Sequence, residues 1–157
     1  MIKGNEIMLF YNNKAIAYAT SHTMNLTGET TDVSSKDHGE FGAQQINKIT
    51  WEVTSENFVS SYTAGVNGYD QMLDLMLAKE PVDVIFGRPS NYSASGLVRG
   101  GNNGDNAPTE WNPNTSYLAG KAIITSLNLT ATVGETATFS TTLTGSGSLS
   151  RVGSYIM

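Results

Sequence analysis

Residues 123–143, IITSLNLTATVGETATFSTTL, decide the fold: they read as two alternating strands joined by a turn at Gly134-Glu135. A period of two places successive side chains on opposite faces of a sheet. Ile123, Leu127, Leu129 and Val133 form the apolar face of the first strand, and Ala137, Phe139 and Leu143 that of the second. The opposite faces carry Ser126, Asn128, Thr130, Thr136, Thr138, Ser140 and Thr142, a polar surface with no charge. Left open to bulk water, such a surface invites pairing with other strands, because charge is what normally prevents it.

The same alternation recurs upstream. Ile49, Trp51 and Val53 alternate with Lys48, Thr50, Glu52 and Thr54, which predicts a strand with Trp51 in the core. Glu6 to Tyr11 and Lys14 to Thr20 flank Asn12-Asn13, a dipeptide that tolerates positive φ and predicts a hairpin. His22 to Ser34 continues as a strand through Met24 and Leu26, with Gly28 a candidate bulge. Val82 to Phe86 is a further strand. Only 68–79 has helical spacing: Tyr69, Met72, Leu73, Met76 and Leu77 share a face, and Pro81 follows the end. That stripe reads as core, with Trp51, Met72, Leu73, Met76 and Phe139 as its main members. Two segments lack a period and predict loops: 35–47, rich in charge, and 87–117, dense in Gly, Asn, Ser and Pro. The expected architecture is mainly β, one domain over residues 1–157: an antiparallel β-sandwich or partly open barrel of two packed sheets with one flanking helix.

Composition narrows the function. The 157 residues suffice for one core and contain no cysteine, which excludes disulfides, thiolate metal sites and a cysteine nucleophile. Net charge is −5 and pI about 4.9, so the basic footprint of a nucleic-acid binder is missing. The charged fraction is 15%, against about 25% in ordinary domains. Surfaces buried between subunits are depleted in charge because desolvating an ion is costly, whereas hydroxyls and amides find partners across a contact. The N-terminal residues lack the apolar core of a secretory signal, and no apolar run is long enough to cross a membrane. The Asn-x-Thr/Ser triplets at Asn25, Asn91, Asn114 and Asn128 are therefore chance occurrences.

Chemistry-bearing patterns are sparse. His22 and His38 stand on different elements without ligand spacing. Ser34, Asp37 and His38 have triad residue types but are neighbours on an open loop, where oriented partners rarely converge. Asn102, Asn103, Asp105 and Asn106 lack the alternating carboxylates and final Glu of a calcium loop. Gly96, Gly100, Gly101 and Gly104 have neither the spacing nor the strand–helix setting of a phosphate-binding loop. Trp51, Trp111, Tyr92 and Tyr117 are types that stack on sugars, which keeps a carbohydrate-binding module as the rival to a structural subunit. No catalytic residue, metal or cofactor is expected.

The segments IMLFYNNKAIAYATSHTMNLTGETTDVSSKD (7–37), ITWEVTSENF (49–58), GYDQMLDLML (68–77) and ITSLNLTATVGETATFSTTLTGSGSLS (124–150) together resemble the siphophage-type major tail proteins, which build the tail tube. That resemblance implies two packed antiparallel sheets with a flanking helix, six copies to a ring, and rings stacked into a hollow tube through which DNA passes. It implies Thr50, Glu52, Thr54, Asn128 and Thr130 as lumen-facing residues, and Lys36, Asp37, His38, Glu40 and Phe41 as the loop that stacks one ring on the next. It also implies a tape measure, a tail terminator and baseplate or distal tail proteins as partners, transient passage of DNA without specific binding, no membrane, and a place in the virion after synthesis in the host bacterial cytoplasm. Inner tubes of contractile tails, extracellular injection particles and type VI secretion share the fold and are the nearest alternative.

Overall fold

In the computed structural model, which describes residues 4, 7–16, 18–59, 67–89, 92–93, 96–97 and 113–153, the chain opens with the expected hairpin. Strands β1 (Met8–Tyr11) and β2 (Lys14–Ala15) are joined by Asn12 and Asn13 at φ 50° and 65°. Left-handed backbone at both turn residues matches the twist of the strands it joins. The second strand is shorter than the expected Lys14 to Thr20: Ile16 leaves it to bridge Asn67, and Tyr18 turns the chain at φ 50°. Asn67 fixes this corner, donating from Nδ2 to the Tyr11 and Lys14 carbonyls at 2.8 Å each.

The remaining strands are β3 (Ala19–Asp32), β4 (Gln44–Phe58), β5 (Val82–Pro89), β6 (Tyr92–Ser93), β7 (Gly96–Leu97), β8 (Pro113–Thr130), β9 (Thr138–Gly145) and β10 (Ser150–Val152). The main sheet runs β2-β1-β5-β8-β9-β4-β3 with β10 added beside β8, while β6 and β7 pair separately; every ladder is antiparallel. Mainly β, antiparallel and with one helix, this is the expected class. The two expected sheets prove to be halves of one continuous sheet, because the 18 residues of β8 serve both: Pro113 to Ala122 pairs with β5, and Ala122 to Thr130 with β9.

The predicted loop 87–117 shrinks at both ends. Gly87 to Pro89 extends β5, and β8 begins at Pro113. Pro89 sits beyond a register shift, where no ladder hydrogen bond is required of it. Of the interior of that segment, 90–91, 94–95 and 98–112 lie outside the described residues.

The main core joins both halves: Leu9, Tyr11 and Ile16 with Val82 and Val84 from one, and Trp51, Val53, Phe139 and Leu143 from the other, with Ala122, Ile124 and Met72 between. Met8, Phe10, Ala15 and Ile85 form a smaller cluster on the opposite face of β1 and β5. Trp51 lies against two glycines: a Cβ on Gly145 would meet its ring at 2.2 Å and one on Gly120 at 2.6 Å. Its Nε1 donates to the Gly147 carbonyl at 3.1 Å.

Helix α1 (Tyr69–Ala78) starts at Gly68 and ends at Lys79 in left-handed conformation, matching the expected 68–79. Its buried stripe is centred on Met72, flanked by Tyr69, Leu75 and Met76. Tyr69 meets Phe139 edge-on at 5.7 Å. Leu73, expected in the core, is half-buried at the margin, and Leu77 is exposed; at about 100° per residue both are rotated off the Met72 direction, and Leu75 takes the inward place.

Four other apolar residues expected inside are outside. Ile123 is 41% exposed because a bulge between Ile124 and Ser126 reverses the parity of β8: Ala122 and Ile124 face the core before it, Leu127 after it. Ile49 is 62% exposed because β4 pairs with β9 only from Glu52 onward, so Ile49 has the right parity but no body beneath it. The bulge expected at Gly28 lies instead in the partner strand: Glu29 pairs with Lys48 and Thr30 with Ile46, leaving Asn47 of β4 as the extra residue. Leu129 near the end of β8 and Val133 in the turn after it also remain uncovered.

On the core side of β3, His22 pairs in register with buried Ser55 and lines a cavity of about 480 Å³ with Ile7, Met8, Ala19 and Phe86. Neither ring nitrogen has a hydrogen-bond partner, and burial pushes the imidazole down to about 4. The folded chain therefore takes up this proton less readily than the unfolded chain, so stability is full above about pH 6.5 and falls as pH drops toward 4. Urea unfolding of the wild type should lose on the order of 1–2 kcal/mol between pH 7 and pH 5 relative to His22→Leu. Equal losses in both proteins would show that His22 is not the group responsible. Gly145→Ala should cost about 1–3 kcal/mol in the same assay, with a red-shifted Trp51 emission as the ring is displaced.

Candidate assembly surface

One half of the sheet, β8-β9-β4-β3, presents an uncovered face whose residues follow from the register, since directly paired residues point the same way. Its rows are Ile123, Thr144, Glu52 and Asn25; then Ser126, Thr142, Thr54 and Thr23; then Asn128, Ser140, Glu56 and Ser21; then Thr130, Thr138 and Phe58. The expected lumen residues Glu52, Thr54, Asn128 and Thr130 thus share one face, and Thr50 continues it one step outward opposite Thr27. Hydroxyls and amides partner one another across it: Thr125 Oγ1 lies 3.3 Å from Thr144 Oγ1, and Asn128 Nδ2 donates to Ser126 Oγ at 3.1 Å. The charges in these rows are two carboxylates, Glu52 and Glu56. Ser140 and Thr142, read from sequence as part of this polar face, stand on it, and Glu56 and Phe58 join it; the alternation around Trp51, extended past Val53, would have found these last two.

Both margins of this half-sheet are open. β3 ends the strand order, and no described strand pairs with its outer side over 14 residues. On the other margin β8 loses β5 after Ala122, leaving Ile123 to Thr130 with a partner on one side alone among the described residues. Unpaired edges of this length, without proline, are templates for another strand.

Beyond Glu52, β3 and β4 continue together as a two-stranded arm. Its core-side face carries Leu26, Ile49 and Ile46, all exposed. The predicted loop 35–47 ends early, because Gln44 to Asn47 already belong to β4; Ile46 is the one apolar residue there, and the register shift between Lys48 and Ile46 puts it out of the two-residue period of Ile49, Trp51 and Val53. The tip contains a short 3-10 turn, Lys36–His38, and Lys36, Asp37, His38, Glu40 and Phe41 are all exposed, Phe41 at 84%. The tip is tied at its base by Val33 N–H to the Ala43 carbonyl at 2.9 Å, Ala43 N–H to Ser34 Oγ at 2.7 Å, and Ser34 N–H to Asp32 Oδ1 at 2.8 Å. These Ser34 contacts hold the Asp32 carboxyl below the usual range.

The triad residue types do not assemble a nucleophile. His38 Nδ1 contacts Ser35 and not Ser34, whose hydroxyl is engaged with Ala43. His22 and His38 are at opposite ends of β3, and no described group of three His, Cys, Asp or Glu is placed to hold a metal. Trp51 is 4% exposed, which removes it from a sugar-stacking surface, and Tyr117 is partly buried against the smaller cluster, apart from Trp51. Trp111, Asn102, Asn103, Asp105, Asn106, Gly100, Gly101 and Gly104 lie outside the described residues, and Gly96 is in β7.

No protein-family model and no curated protein sequence matches the chain. Solved structures do. The tail of an empty gene transfer agent particle of C6 symmetry matches with a TM-score of 0.68 at 12% identity, covering 98% of this chain and 100% of that one. The SPP1 tail tube matches with 0.67 at 10% identity, covering 98% and 80%. A sheath/tube terminator structure of an extracellular contractile injection system matches with 0.62 at 11% identity, covering 98% and 97%. At such identities the likeness is one of architecture, and it extends over almost the whole chain: this protein has the tail-tube fold.

Proposed function

We propose that the chain is a structural subunit of a bacteriophage-type tail tube. Six copies join side by side into a ring, rings stack into a hollow tube, and DNA passes through the lumen during infection. The observation that carries this reading is the half-sheet with two open margins and one uncovered face nearly free of charge. β3 of one copy pairs with Ile123 to Thr130 of the next, a head-to-tail contact that closes when the rotation is right. Closure turns the Thr, Ser and Asn face toward the lumen, where Glu52 and Glu56 repel phosphate and the hydroxyls offer no cation to hold it. The arm, with Lys36, Asp37, His38, Glu40 and Phe41 at its tip, reaches the adjacent ring.

The C6 symmetry of the gene transfer agent tail supports six copies. A non-contractile tail is the preferred setting; the match to an extracellular contractile injection system keeps an inner tube of that kind as the second reading. A tape measure, a terminator and baseplate proteins are the partners this role requires, and the virion tail is its location. The subunit acts by geometry and calls for no catalytic group.

Negative-stain electron microscopy of the purified chain over a rising concentration series tests this. Hollow rings or tubes are the expected product. Compact monomers at the highest concentrations, also in the presence of preformed tube ends, would move the assignment to a monomeric binding module.

A further inference from the structure

The arm's tip contains a contact that depends on a protonation state. Ser35 N–H donates to His38 Nδ1 at 3.0 Å, and the Ser35 hydroxyl lies 2.8 Å from the same nitrogen. In return His38 N–H donates to the Ser35 carbonyl at 3.1 Å, so the two residues clasp the 3-10 turn from both sides. A backbone N–H can only donate, so Nδ1 must be unprotonated and the neutral ring carries its proton on Nε2. Charging the ring puts a hydrogen on Nδ1 facing the Ser35 N–H, and the contact becomes repulsive.

We infer that His38 is a protonation-controlled latch: neutral imidazole closes the tip through Ser35, imidazolium releases it, and ring stacking weakens with the release. The stacking half of this rests on the tail-tube reading; the latch itself does not.

Every residue from Val33 to Gly42 is exposed, so no other element among the described residues buries the ring. The titratable groups of the tip are Asp32, Lys36, Asp37 and Glu40, and farther down the arm Glu29 pairs in register with Lys48. Asp32 is the one tied by hydrogen bonds, and Ser34 holds it ionised below the ordinary carboxylate range. Its tie at the base of the tip therefore survives while an imidazole charges, between about pH 8 and 5. The release is confined to the turn: the arm keeps its base and loses the shape of its end.

His38→Asn separates the latch from everything else that changes with pH, because Asn Oδ1 occupies nearly the position of Nδ1, accepts the same hydrogen bond and does not titrate. Ser35 amide exchange and tube yield are measured for wild type and His38→Asn at matched pH values from 8 to 5. At pH 5 the wild type should exchange Ser35 roughly fivefold faster than His38→Asn, with equal rates at pH 8. Wild-type tubes should diminish severalfold over the same interval while His38→Asn tubes persist. Equal Ser35 exchange in the two proteins at pH 5 overturns the latch. Faster exchange with tube yields that stay equal overturns its link to stacking. If neither protein forms tubes at any pH, the tail-tube reading fails, and the Ser35 amide still decides the latch alone.

Discussion

The ladder of β8 is the constraint on which the structure depends. Its first ten residues hold β5 and, through it, the opening hairpin; its last nine hold β9, β4 and β3, with Ala122 shared between them. Because one strand serves both layers, the core of Leu9, Tyr11, Val82 and Val84 faces that of Trp51, Val53, Phe139 and Leu143 without a second sheet having to be docked. The same handover leaves the far margin of β8 unpaired from Ile123 onward. The strand that builds the fold thereby creates one of the two open edges, and β3 supplies the other.

On the proposed function, edges and face together form the surface through which copies of the chain meet. An isolated sheet with two bare margins is prone to add strands without limit, and most proteins block this with charge or proline. Here the margins belong to one half-sheet and the face between them is Thr, Ser and Asn with two carboxylates, so a ring that closes satisfies both edges and stops lateral growth. In the proposed assembly growth along the axis falls to the arm, whose Leu26, Ile46 and Ile49 stripe is exposed among the described residues. The inner face has its own polar row of His22, Ser55 and Thr141, in which the buried imidazole ties the stability of the fold to pH.

Much of this was legible in the residues. Alternation around Trp51 and through 123–143 located the strands, Asn12-Asn13 the turn, and Gly68 and Lys79 enclosed the helix within a residue at each end. The misreadings have physical causes. A single inserted residue at Thr125 flips Ile123 outward, and no local pattern marks it. Ile49 obeys its period, yet burial depends on how far β9 extends, which is a tertiary fact. Pro89 and Pro113 suggested loop, though each sits at a strand end where a missing N–H is harmless. For the assembly surface, the lumen candidates shared a face because parity fixes that from sequence; the unpaired edges depended on strand order, which single-strand patterns do not encode.

The most direct test of side-by-side closure is amide exchange on assembled tubes compared with unassembled chain, read residue by residue on β3 and on Ile123 to Thr130. The account predicts strong slowing at the amides of both strands that point away from β4 and β9, with little change in β1 and β5. Tubes in which those outward amides exchange as freely as in the unassembled chain would show that the copies meet through some other surface.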